Sequence, residues 1–231
     1  MRHARWSLPL FLLLAGLMCA QSDKRARYQQ MLENDYVRVF NLELGPGYHA
    51  PAFQNLHDVI WVALDDNSLT LVPVDGERSR VQFKPGDARL FRSYKVREFF
   101  NDSGAPFRGV VVELKQRGLT SEGCGCLGDI ERAVCGCGQA EHMPPLWAVG
   151  IGSITLAGST LAPGQSFTSA SHRNDSLLIA ITPLQIEDTH GDDPVDVRLQ
   201  PGEVQWLKEG NHQFKNMGSG TARFVTIEFE G

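Results

Sequence analysis

Two Pro-Gly turns each occur twice in this chain. Pro46-Gly47 comes back as Pro163-Gly164, and Pro85-Gly86 as Pro201-Gly202. Asn101 comes back as Asn216, and Val112-Glu113-Leu114 as Ile227-Glu228-Phe229. Every offset is about 116 residues, which is the length of a whole domain rather than of a solenoid unit. Most of the 231 residues must therefore be two copies of one fold. Within the first copy the apolar residues follow a strand period. Val37 and Val39 alternate, then Leu42 and Leu44 after a slip near Phe40 that predicts a bulge. Val59 to Leu64 is nearly all apolar, as in a strand buried on both faces. Leu69 and Leu71 lead to a hairpin turn at Asp75-Gly76, and Val81 and Phe83 follow. Long helix-forming runs are scarce. Each copy should be an all-β unit of about six to eight strands closing into a jelly-roll barrel, because closure removes unpaired strand edges.

The ends and the middle read differently. Arg2 and Arg5 precede an apolar run from Leu8 to Met18, too short to span a bilayer, and Ala20-Gln21 offers a cleavage point. Residues 1–20 are expected to be a secretory signal peptide and the protein to be exported, periplasmic or extracellular. No other segment is apolar enough to cross a membrane as a helix. Residues 21–34 are polar and predict a linker or a short docking helix. The two barrels should then occupy 35–116 and 146–231, joined by a Cys-rich connector over 117–145.

Charge argues against nucleic acid. The formal net charge is −5 and the cations are scattered, whereas a phosphate-tracking surface needs them clustered. The one basic cluster, Arg89-Arg92-Lys95-Arg97, is interleaved with Phe91, Tyr94 and Phe99 and reads as a partly solvated strand pair. No Gly-x-Ser-x-Gly, phosphate-cradling loop or dinucleotide fingerprint occurs. Trp61, Trp147 and Trp206 sit in apolar strands and read as core.

The segment Pro201-Gly202-Glu203-x-x-Trp206-Leu207, continued by His212-x-x-x-Asn216, resembles the second motif of the cupin superfamily, and the doubling resembles a bicupin. In that family a His-x-His pair, a Glu and a further His hold one divalent metal inside the barrel. The resemblance puts those four positions of the first copy on Phe53, Asn55, the neighbourhood of Val59, and Arg97, none of them a set for a divalent ion. In the second copy they fall on Ala170, His172, Ser176 and His212, with Asp175 close to the carboxylate position. Two readings of His172 and His212 stand. With Asp175 they could hold iron, manganese, copper or zinc for dioxygen chemistry or isomerisation of a small oxygenated compound. Otherwise they are a relic pair, hydrogen-bonded to each other, to water or to Ser171. An Arg97 directed into an apolar barrel would need an anion or acceptors. It could hold a ligand carboxylate with help from Asn55 and His49 or His57, pair internally with Glu98, Asp58 or Glu113, or simply be exposed at the barrel mouth.

The connector holds Cys124, Cys126, Cys135 and Cys137. In an exported chain such cysteines read as disulfides, for example Cys124–Cys137 with Cys126–Cys135. A thiolate site for zinc or Cu(I) is the competing reading. The sequence thus points to an exported two-barrel protein, monomer or homodimer, that binds a small molecule or is structural. A metal enzyme in the second barrel and metal handling by the cysteines are the alternatives.

Overall fold

The computed structural model describes residues 25–51, 57–92, 96–115, 134–136, 146–151, 153–168, 174–190 and 193–229. In the first half the strands are β1 (Arg27–Glu33), β2 (Val37–Leu44), β3 (His49–Pro51), β4 (Val59–Ala63) and β5 (Asn67–Pro73). They continue as β6 (Ser79–Phe83), β7 (Ala88–Phe91), β8 (Val96–Phe100), β9 (Phe107–Leu114) and β10 (Val134–Gly136). The second half holds β11 (Leu146–Ile151), β12 (Ile154–Leu161), β13 (Ser166–Thr168), β14 (Ser176–Ala180) and β15 (Leu184–His190). It ends with β16 (Asp193–Leu199), β17 (Val204–Leu207), β18 (His212–Asn216) and β19 (Ala222–Phe229).

Each half is a pair of facing antiparallel sheets. The first pairs a sheet ordered β1-β2-β9-β4-β7-β10 with one ordered β3-β8-β5-β6. The second pairs β11-β12-β19-β14-β17 with β13-β18-β15-β16. Among the described residues the hydrogen-bonded ladders do not run around either half, so these are jelly-roll sandwiches and not the closed barrels expected. The expected linker or docking helix at 21–34 is also corrected. Arg27–Glu33 form β1, paired along β2, as β11 pairs along β12. The expected bulge in β2 is absent: β2 pairs with β9 in unbroken register, and the irregularity lies in β1, between Gln30 and Leu32. The phase of β2 slipped because both of its faces are buried. Val37 and Val39 belong to one core and Leu42 and Leu44 to another.

Three cores organise the molecule. One fills the first sandwich, around Trp61, Phe83, Phe99 and Phe107. A second fills the other sandwich, around Leu178, Phe214 and Phe224. The third lies between the halves, where Val39, Ile60, Val62 and Val112 meet Leu156, Leu177, Ile179 and Ile227. The two larger sheets therefore pack back to back. This explains why β4 and β14 are buried at every residue: odd and even side chains serve different cores. Trp61 is the core residue expected, 4.0 Å from the Phe99 ring centre.

The repeat holds at the level of single hydrogen bonds. Gly86 and Gly202 have positive φ, 90° and 88°, a conformation that favours glycine. Each donates its N–H over 2.8 Å, to Ala63 O and Ala180 O respectively. The Asn101 amide donates to Leu44 O and Ala105 O. Asn216 donates to Leu161 O and Gly220 O. Both asparagines are buried and tie three chain segments together.

Candidate functional site in the second half

Strand alternation sends Leu178 and Ala180 of β14 into the second sandwich, and Leu177 and Ile179 into the core between the halves. Ser176, in phase with Leu178, faces the interior. The opposing sheet supplies Phe214 from β18, and His212, two residues earlier, shares its face. Asp188 and His190 lie two apart on β15, and the register places Asp188 opposite Phe214 and His190 opposite His212.

These residues lie at a polar end of an interior whose core is Leu178, Phe214 and Phe224. His212 and Asp188 are almost wholly buried, with side-chain exposures of 4% and 8%. His212 Nδ1 lies 2.8 and 3.0 Å from the two Asp188 carboxylate oxygens. Its Nε2 lies 2.8 Å from Lys208 O. A carbonyl oxygen only accepts, which calls for a proton on Nε2; a carboxylate accepts as well, which calls for one on Nδ1. With acceptors at both nitrogens, the site favours the doubly protonated ring. Its hydrogen bond to Asp188 raises its pKa above the ordinary imidazole value, the bond to Lys208 O adds to this, and burial opposes it. The exposed His190 ring stacks on His212 at 4.8 Å. It reaches there because Gly210 has no side chain: a Cβ at Gly210 would stand 1.9 Å from His190 Cε1. Ser176 is wholly buried, and among the described residues its hydroxyl has no hydrogen-bond partner. A buried hydroxyl left so is uncommon and calls for a group to meet it.

The sequence-expected residues separate in the fold. Asp175 does not join His212. Its carboxylate accepts from Trp206 Nε1 at 3.2 Å, Lys208 Nζ at 3.0 Å and Glu209 N at 3.0 Å, at the seam between the halves. His172, Asn55, Cys124, Cys126 and Cys137 lie outside the described residues. Cys135 lies in β10, whose backbone pairs with β7 opposite Leu90. Arg97 is exposed, which agrees with the exposed alternative and not with the inward direction that the resemblance implies. The register of β8 against β5 slips there, with Val72 opposite Glu98 and Pro73 opposite Val96. Arg97 is the extra residue of a β-bulge, which throws its side chain outward and puts buried Val96 in the place His212 takes in the other half. By the same register, Leu71 replaces Asp188. The buried cations described in the first half are instead Arg89, over the Phe83 ring and 3.6 Å from Asp87, and Arg92, paired with Asp58.

A divalent ion does not fit the donors described. A metal-bound imidazole needs a ring nitrogen free of other partners, and both nitrogens of His212 face acceptors. The oxygens of Asp175 are engaged outside the sandwich. Among the described residues no group of three or more His, Cys, Asp or Glu is arranged to hold an ion.

No protein-family model matches the chain, and no curated protein does either. Solved structures match it over both halves. AerE from Microcystis aeruginosa shares 12% identity, with 90% of this chain and 94% of that one covered and a TM-score of 0.67. A single-site variant of oxalate decarboxylase from Bacillus subtilis shares 13%, with coverages of 88% and 75% and a TM-score of 0.63. A cupin 2 conserved barrel domain protein from Leptotrichia buccalis shares 9%, with 88% of each chain covered and a TM-score of 0.53. The fold is that of a bicupin. At these identities the likeness is one of fold, and the bicupin fold leaves the chemistry to the residues present in each sandwich.

Proposed function

We propose that the protein is an exported small-molecule-binding module that uses the interior of its second sandwich without a metal ion. The observation that carries this reading is the His212 ring, pinned through both nitrogens between Asp188 and Lys208 O. That arrangement gives up metal ligation and leaves a rigid, hydrogen-bonded polar wall. The Ser176 hydroxyl, which faces the same interior, would meet a polar group of the ligand, at the position where cupin resemblance places a carboxylate. The first sandwich supports a structural role, since aromatic rings fill its interior. Export rests on the basic and apolar N-terminus and on four cysteines in one short connector.

The competing reading is a metal-dependent enzyme of the kind represented among the structural neighbours by oxalate decarboxylase. Elemental analysis of protein purified from its native compartment separates the two. On the metal-independent reading, wild type and a His172→Ala/His212→Ala double variant carry the same substoichiometric metal. A stoichiometric ion lost with the histidines overturns this reading in favour of the enzyme. An ion lost only when the cysteines are replaced assigns metal handling to the connector.

A further inference from the structure

At one end of the seam between the halves lies a cleft of about 330 Å³, lined by Leu32, Asp35, Tyr36, Asp175, Trp206 and Lys208 among others. Pockets of this size, at an interface and mixing aromatic with a few polar groups, are where small molecules bind. The rings form a continuous platform. Tyr36 lies 5.7 Å from both Trp206 and Phe229, and Trp206 stacks on Phe229 at 5.5 Å. The platform is held in place from both sides. Asn34 Oδ1 accepts from the N–H groups of Tyr36 and Val37, each over 2.9 Å. The Trp206 indole donates to Asp175, which Lys208 also grips.

The internal repeat shows that this cleft departs from the common plan. Asp58 in the first half matches Asp175: their carbonyls accept from Leu114 N and Phe229 N over 3.0 and 3.1 Å. Arg92 matches Lys208, and each pairs with its aspartate, over 2.7 and 3.0 Å. At the first copy, however, Leu90 stands where Trp206 stands. The Arg92 side chain is 8% exposed, against 76% for Lys208. One copy of the arrangement is closed with an aliphatic side chain; the other is opened and floored with rings.

We propose that this cleft binds a hydroxylated six-membered ring, a saccharide unit, with its C–H face against Tyr36 and Trp206. The charged groups of the walls favour a neutral ligand rich in hydroxyls. Glu33 is matched by Arg38 and Lys115, and Asp175 by Lys208. A charged ligand would have to break such pairs. Hydroxyl groups can use the remaining lone pairs of the carboxylates and the remaining hydrogens of the Lys208 ammonium. The exposed Asp35 carboxylate at the lip adds an acceptor.

The test is calorimetric titration of the purified protein with glucose, galactose, N-acetylglucosamine, cellobiose, lactose and N,N′-diacetylchitobiose, with acyclic sorbitol as control. At least one of the sugars should bind saturably and sorbitol should not. Trp206→Leu, which copies Leu90, should weaken that binding by about tenfold or more through loss of the stacking surface. Asp35→Ala, an exposed substitution that cannot unfold the chain, should weaken it by about threefold or more. Ser176→Val should leave it unchanged. Failure of all six sugars to bind up to about 20 mM, beyond any meaningful affinity, overturns the proposal. So does sugar binding that survives Trp206→Leu and Asp35→Ala but is lost in Ser176→Val. That last result would place the ligand inside the second sandwich and leave the metal-independent reading of that site standing.

Discussion

Replacing His212 by Val tests the buried pair, and the molecule supplies its own control. In His212→Val the Asp188 carboxylate, 8% exposed, loses its cation, and Lys208 O loses its donor. Breaking one side of a buried ion pair costs about 3–5 kcal/mol, because the remaining charge stays desolvated. In a chain of this size each kcal/mol moves the melting temperature by about 2–4 °C, so a fall of roughly 6–20 °C is expected. The double variant His212→Val/Asp188→Leu copies what the first half has, buried Val96 and Leu71. Exchange of a buried pair for apolar residues ranges from neutral to about 1–4 kcal/mol stabilising, so the double variant should recover most of the loss. The pH dependence gives a second readout. Asp188 raises the folded-state pKa of His212 above its unfolded value. The stabilisation is therefore complete below the ordinary imidazole pKa of about 6.5 and is lost as pH rises through the raised folded value. Wild type should lose stability over that window, and the double variant should lack this step. Urea unfolding of all four proteins of the cycle, from acid to mildly alkaline pH, measures both. A single variant that costs less than about 1 kcal/mol, or a double variant no better than the single, would refute the ion-pair assignment.

The other predictions concern positions where the two halves can be compared. Ser176→Val, the residue found at Val59, should stabilise the apo protein by about 1 kcal/mol by removing an unpartnered buried hydroxyl; urea midpoints check it, and a loss instead would show the hydroxyl to be bonded. Gly202→Ala should cost more than Gly164→Ala. Both have positive φ, but only at Gly202 would a Cβ meet neighbours, Leu64 Cδ1 at 2.9 Å and Asn41 Oδ1 at 3.1 Å. Paired thermal melts should show about 1 kcal/mol for the open site and at least twice that for the crowded one. Asn101→Ala and Asn216→Ala each remove one hydrogen bond to a buried carbonyl and one to a part-buried carbonyl, and should each cost about 2–3 kcal/mol by the same assay. Unequal losses would show that the two loops are not energetic equivalents.

The repeat, the turns and the strand-rich character follow from local chemistry and are legible in the chain itself. A Pro-Gly pair at the right place demands a positive φ, and a period of two demands a strand. Such signals depend on neighbours along the sequence, and the Pro-Gly and asparagine equivalences hold down to single hydrogen bonds. Residues 21–34 misled because a polar edge strand has little apolar alternation to display: β1 is mostly exposed. Asp188 and His190 could have been noticed as continuing the alternation of Leu184 and Ile186, and hence as lying on the same face.

What the tertiary structure alone decided is direction and partnership. One inserted residue turns a strand position to the opposite face, so the bulge at Arg97 cannot be read without the register of β8 against β5. His212 looks like a metal ligand until Asp188, 24 residues earlier in the chain, takes one ring nitrogen and Lys208 O the other. Asp175 likewise belongs to the seam because the two halves pack back to back and bring Tyr36 to Trp206. In each case the deciding contact is made by segments far apart in sequence, and its energy comes from a desolvated environment that exists only once the sheets have closed over it.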